Sequence, residues 1–311
     1  MSAGRPLRFG LIGVDSPHAP QFTRLLGDGL HGEVAGARIT HAWKGEPAAD
    51  FPLGLDRVDA FADEVALLGV QLCTTPEEVA DAVDALLVVA ADARTHPAYF
   101  ERVAPTGKPV YVDTRFALTT QAAKRMLATA RVHGCTPLAG SPKRFAPEFV
   151  QVLGDTPISR LVLDGPLPTQ PGHPDLSWYG FHLADLAVAT LGPDPVLVDA
   201  PAGGSVTVTW ADGRTAHIDG EPTWSPVTTG TLHRAAGASS EFALTAGQSM
   251  LTGLLANLVD SCRNGVPNVS EAEILATVAI VEGPHVSRTT GAPAVIGPTT
   301  QPLEVGDAAG S

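Results

Sequence analysis

The chain has 311 residues, 44% of them hydrophobic and only 5% aromatic, with a net charge of −13. That length predicts two domains at about 100–200 residues each, and the apolar share suffices for ordinary cores. The acidic balance repels phosphate backbones, which argues against nucleic acid as a partner, and no apolar run approaches the ~18 residues needed to span a bilayer.

The first half alternates strand and helix. Arg8–Val14 is a short apolar run ending in turn residues, as a buried strand requires. Pro17 suits a first helical turn, and Phe22, Leu25 and Leu26 give an apolar helix face. Ala37–Trp43 reads as a second strand, Arg57–Leu68 as a helix and Val70–Cys73 as a third strand. Thr75-Pro76-Glu77-Glu78 has the residues of a capping box. Asp84–Ala90 is almost wholly apolar, like a central strand covered on both faces. A helix from His96, a strand Pro109–Asp113, a helix Thr119–His133 and a strand Thr136–Gly140 follow. Strands alternating with helices predict an α/β doubly wound parallel sheet over 1–140.

The second half changes character. A helix Tyr179–Leu191 precedes strands of alternating pattern near 206–210, 214–218, 230–235 and 240–245. Two helices, Ser249–Asn264 and Ser270–Ser287, close the chain. Strands in a run with segregated helices predict an α+β domain with a mostly antiparallel open sheet over 141–303, then a disordered tail at 304–311. One sheet face is expected to need cover from a second copy, as a homodimer or homotetramer. Cys73, Cys135 and Cys262 have no metal-ligand spacing, so reduced thiols of a cytoplasmic protein are expected, with no metal site. Met1–Arg8 lacks the apolar core of a signal peptide.

Several segments carry a family resemblance. Gly107-Lys108-Pro109-Val110 through Thr119, Ser141-Pro142-Lys143-Arg144-Phe145-Ala146-Pro147 and the entry to the last helix, Val269-Ser270-Glu271-Ala272-Glu273, are quoted from this chain. Together with the first strand they resemble the glucose–fructose oxidoreductase/inositol dehydrogenase (Gfo/Idh/MocA) family. Gly13-Val14-Asp15-Ser16-Pro17-His18, Trp178-Tyr179-Gly180-Phe181-His182 and Trp210-Ala211-Asp212-Gly213-Arg214 look like one divergent branch of it. The resemblance implies a Rossmann domain that binds NAD or NADP at the first turn, through Gly10, Gly13, Val14, Asp15, Ser16 and His18. It also implies that the loop at His96 stacks the nicotinamide.

The departures bear on chemistry. In the glycine-rich turn, Asp15 stands at the second glycine and His18 at the third. No acid ends the second strand; Lys44 stands there and would favour the 2′-phosphate of NADP. The family's reacting-oxygen lysine is replaced by Thr114, between Asp113 and Arg115, and its aspartate before the helix histidine by Trp178. His182 is expected as a general acid/base, with Tyr179 beside it and Lys143 or Arg115 offsetting the lost lysine. Two functions follow: an NAD(P)-dependent oxidoreductase acting on a small hydroxyl, carbonyl or imine substrate, or a protein that binds a small molecule or runs non-redox acid/base chemistry in the same cleft.

Overall fold

The computed structural model describes residues 5–27, 32–235 and 237–297; the expected tail at 304–311 lies outside them. The first sheet is parallel throughout. Its six strands run in the order Gln71–Cys73, Ala37–Trp43, Leu7–Ile12, Ala85–Val88, Val110–Val112, Pro137–Leu138. Chain order reverses between Leu7–Ile12 and Ala85–Val88, so the switch point of this doubly wound sheet lies between those two strands. All four residues of Ala85–Val88 are buried, as the unbroken apolar run predicts. Helix entry at Pro76 forms as read: the Thr75 side chain accepts from Glu78 N at 3.2 Å. The reciprocal bond shifts by one residue, with Thr74 N donating to Glu78 Oε2 at 2.8 Å.

The second sheet has seven strands in the order Ser239–Thr245, Val227–Arg234, Ile158–Asp164, Thr215–Asp219, Val206–Trp210, Pro195–Asp199, Ala294–Val295. Every pairing is antiparallel except Ile158–Asp164 with Thr215–Asp219. The strands Ile158–Asp164 and Pro195–Asp199 are absent from the sequence reading. The first carries Ser159 and Arg160 where apolar alternation would need one inward residue, so its period is blurred. The inner face (Leu161, Leu163, Val208, Trp210, Ile218, Leu232) packs on the helices Phe181–Leu191 and Glu271–Thr290. On the outer face stand Thr207, Thr209, Thr215, His217 and Thr231, all half-buried. Val162, Leu197 and exposed Val295 share that face, which is therefore mixed rather than apolar.

Two helices tie the sheets together. Glu271–Thr290 places Ala276 and Ile280 in the second sheet's core and Ile274 and Val278 in the first sheet's core. Gln248–Asn264 returns to the first sheet, where Leu251, Leu254, Leu255 and Leu258 pack with Phe9, Leu11 and Phe22. Gly253 makes that approach possible: a Cβ there would sit 2.4 Å from Phe145 O. The helix therefore presses on the turn Pro142–Phe145 that carries Lys143.

Candidate active site

A cavity of about 600 Å³ opens beyond the carboxyl ends of the first sheet and beneath the second. Ligands of open α/β sheets bind in this position. The loop after the first strand brings Ser16 and His18, that after the fifth brings Asp113, Thr114 and Arg115, and that after the sixth brings Lys143. Tyr179 and His182 enter from the start of the helix Phe181–Leu191. Every residue expected to be catalytic thus lines one space.

His18 and Asp113 form a pair. His18 Nδ1 lies 2.6 Å from Asp113 Oδ2, and the ring stacks on Phe22 with centroids 4.9 Å apart. Burial opposes charge on Asp113. The His18 ring, the Thr114 N–H and the Tyr111 hydroxyl at 2.9 Å outweigh it, and hold the carboxyl near pKa 2. A carboxylate only accepts, so His18 donates from Nδ1, and Nε2 is the ring nitrogen left to act on a bound molecule. His18 was expected at a cofactor phosphate; it faces the same cavity as His182.

His182 is held differently. Its Nδ1 is 2.6 Å from Ser141 Oγ, which already accepts the Lys143 N–H at 3.2 Å. With the Ser141 hydroxyl assigned as the donor to Nδ1, the ring proton sits on Nε2. Burial first, then the charges of Lys143 and Arg115, push the His182 pKa well below the ordinary histidine value. A neutral imidazole with Nε2–H is a hydrogen-bond donor for a developing oxyanion. His182 makes no bond to Asp185, which stands one turn on in the same helix. Asp185 instead accepts from Ser141 N at 3.0 Å and pairs with Arg144 at 3.2 Å. Arg144 also pairs with Glu273, and so braces the turn carrying Lys143.

Lys143 is buried, at 4% exposure, and its ammonium donates to the hydroxyl of fully buried Thr228. Burial lowers its pKa to about 8. Arg115 has φ 73°, a left-handed conformation that costs a non-glycine residue of order 1–3 kcal/mol. That backbone aims the guanidinium at Ala91 O (2.6 Å) and lays it over the Trp178 ring at 4.1 Å. Burial lowers its pKa to about 10, and its Nε has no partner. Thr114 lines the cavity, buried, without a charge.

Of the residues read as cofactor-binding, Ser16 and His18 line the cavity, and Gly10, Gly13, Val14, Asp15, Lys44 and His96 stand outside it. Gly10 lies inside the first strand, where a Cβ would come 2.4 Å from Val79 Cγ1, so it serves helix packing. Val14 is fully buried in the core. His96 is fully buried, its ring nitrogens 2.8 Å from Ala90 O and 3.1 Å from Arg115 O, and it braces two loops without lining the cavity. Lys44 pairs with Asp59 at the surface. Gly13 keeps its turn at φ 77°.

A dinucleotide crossing the switch point does not fit these residues. Asp15, 3% exposed, bridges the two strand ends by accepting from Ala91 N at 3.0 Å. The segment after the second strand folds over it: a Cβ on Gly54 would lie 2.6 Å from Asp15 Oδ2. Phe51, fully buried, packs with Ala91 and Trp178, its ring 5.5 Å from His173. Pro17 also lacks the N–H that a helix start offers a phosphate. Nothing in the sequence marks this plug, because the stretch around Phe51 mixes Ala, Pro, Gly and Leu without a helix or strand period. Phe51→Ala is expected to cost about 3–5 kcal/mol of stability, measured by urea unfolding. A loss under about 1 kcal/mol would mean that Phe51 does not seal the crevice.

No protein-family model matches the chain, and no curated protein matches it in sequence. Solved structures do. GenD2 from gentamicin A biosynthesis, in complex with NAD, has 18% identity and TM-score 0.74, covering 96% of this chain and 98% of that one. An oxidoreductase from Agrobacterium radiobacter, in complex with NAD+, L-tartaric acid and magnesium, has 15% identity and TM-score 0.69 over 94% and 98%. Myo-inositol 2-dehydrogenase from Lactobacillus plantarum has 15% identity and TM-score 0.71 over 94% and 100%. Among the described residues no helix is long and apolar enough to cross a membrane, and no cluster of side chains is arranged to hold a metal. The chain carries the two-sheet fold of the solved inositol dehydrogenases and related oxidoreductases of the Gfo/Idh/MocA family.

Proposed function

We infer that this chain is an enzyme that transfers protons at a small molecule bearing a hydroxyl or carbonyl group. The carrying observation is the convergence on one cavity of the His18–Asp113 pair, the buried Lys143 ammonium and the neutral His182 ring. His18 Nε2 takes a proton from the carbon or oxygen of the bound molecule. Negative charge then builds on the neighbouring oxygen, and Lys143 and the Nε2–H of His182 stabilise it. Tyr179, with its hydroxyl accepting from Trp224 Nε1 at 3.0 Å, closes one wall.

The second reading is NAD(P)-dependent oxidoreduction of the same group, and the fold shared with NAD-bound structures favours it. In that reading the cofactor supplies the hydride, and this chain's residues handle the proton. It requires the segment carrying Phe51 to leave the crevice. The engagement of Lys44 with Asp59 leaves a preference for NADP without structural support.

One experiment separates the two. The protein is incubated in D2O with dihydroxyacetone or pyruvate and no nucleotide, and C–H to C–D exchange is followed by NMR. In parallel, NADH and NADPH are titrated by fluorescence. Exchange above the buffer rate, lost in His18→Gln, together with no dinucleotide binding at micromolar concentration, is the expected result. Micromolar NADH or NADPH binding without exchange would establish the second reading instead.

A further inference from the structure

The cavity's charge is opposite to that of the chain. Four cations line it, Arg24, Arg57, Arg115 and Lys143, against one carboxylate, Asp113, in a chain of net charge −13. Arg24 is already paired with Glu64, and Asp113 is committed to His18 and Tyr111. The other three cations have no carboxylate within ion-pair distance among the described residues. The Lys143 ammonium meets only the Thr228 hydroxyl. Arg115 hydrogen-bonds only carbonyl oxygens and lies over the Trp178 ring; its buried Nε has no partner, and Asp113, Asp92 and Asp15 act on it only from beyond ion-pair distance.

Burying cations without counter-charges is costly, and proteins normally neutralise or pair them. Here the fold goes to some length to keep them. Arg115 accepts a left-handed backbone, and Lys143 is pressed into place by Gly253 and braced through Arg144. Two buried unpaired cations and a third at the wall make a site complete only when an anion enters. The low-dielectric walls, which include Trp178 and Tyr179, strengthen that attraction.

We propose that the cavity takes its substrate as a small organic anion, whose carboxylate or phosphate group is held by Lys143, Arg115 and Arg57. The group that reacts lies beside the anchored one, within reach of His18 and His182. This rests on reading the cavity as the reaction site, but the two fail separately. Anion binding without proton exchange would sink the proposed chemistry and leave the anion site standing.

The test is calorimetric titration of the full chain with L-tartrate, with L-threitol and with inorganic phosphate. Tartrate and threitol share a four-carbon diol and differ in carboxylates against neutral hydroxymethyl groups. Tartrate or phosphate is expected to bind at least ~10-fold more tightly than threitol, and less tightly as salt is raised. A preference for tartrate identifies a carboxylate anchor, and a preference for phosphate a phosphate anchor. Lys143→Met and the more exposed Arg57→Gln should each weaken the preferred anion by about 5-fold or more. Arg57→Gln keeps the test valid if the buried variant folds poorly. Threitol binding as tightly as both anions, no binding of either anion at millimolar concentration, or anion binding unchanged in both variants would overturn the proposal.

Discussion

Asp113→Asn is expected to lower the rate of proton transfer about 10³–10⁴-fold with little change in ligand affinity. The substitution keeps the side-chain volume and still accepts the Tyr111 hydroxyl, now 2.9 Å away. What changes is the proton on His18. The carboxylate 2.6 Å from Nδ1 can only accept, so the ring proton stays on Nδ1. An amide nitrogen turned toward Nδ1 donates, the ring proton moves to Nε2, and the base facing the cavity is lost. Deuterium-exchange rates of Asp113→Asn and His18→Gln should fall to the same level. A rate within about 10-fold of wild type in Asp113→Asn would remove His18 as the base. The variant also has a signature in stability. The wild-type carboxyl is held near 2, below its unfolded value of about 3.9. Its contribution is therefore complete above pH ~4 and lost as pH falls toward 2, and acid unfolding of Asp113→Asn should lack that component.

Lys143→Met is expected to lower the rate by about 100–1,000-fold, the usual cost of removing one donor to a developing oxyanion. Thr114→Val, which removes no charge, should stay within a few-fold. With the Lys143 pKa at about 8, activity that needs the ammonium falls as pH rises through 8. Lys143→Met should lack that alkaline limb, and Lys143→Arg should move it upward. The sign for stability is opposite. Lys143 is more acidic folded than unfolded, where its value is about 10.4, so the folded state is penalised below pH 8 and relieved between 8 and 10.4. A depression of that size corresponds to about 3 kcal/mol at neutral pH, so Lys143→Met should raise Tm while it lowers activity. A lower Tm together with an unchanged alkaline limb would show that Lys143 serves packing alone.

The sequence by itself determined the parallel sheet, because its strands alternate with helices and the central one, Ala85–Val88, is an unbroken apolar run. Ala37–Trp43 and Val206–Trp210 appear with the bounds read from their patterns. It also marked groups that line the cavity, since Asp113, Lys143 and His182 follow strands or open a helix at one end of the fold. Tertiary structure decided the rest. Strand Ile158–Asp164 owes its place to neighbours on both sides, which override the irregular pattern of its own residues. His18 became the partner of Asp113 because two loops 95 residues apart meet at the strand ends, a closeness that no local motif encodes. The dinucleotide turn kept Gly13, while Asp15 reaches across to Ala91 and Phe51 packs against Ala91 and Trp178. Local sequence sets which groups stand at the ends of strands; only the packing of distant loops sets which of them share a space, and what that space excludes.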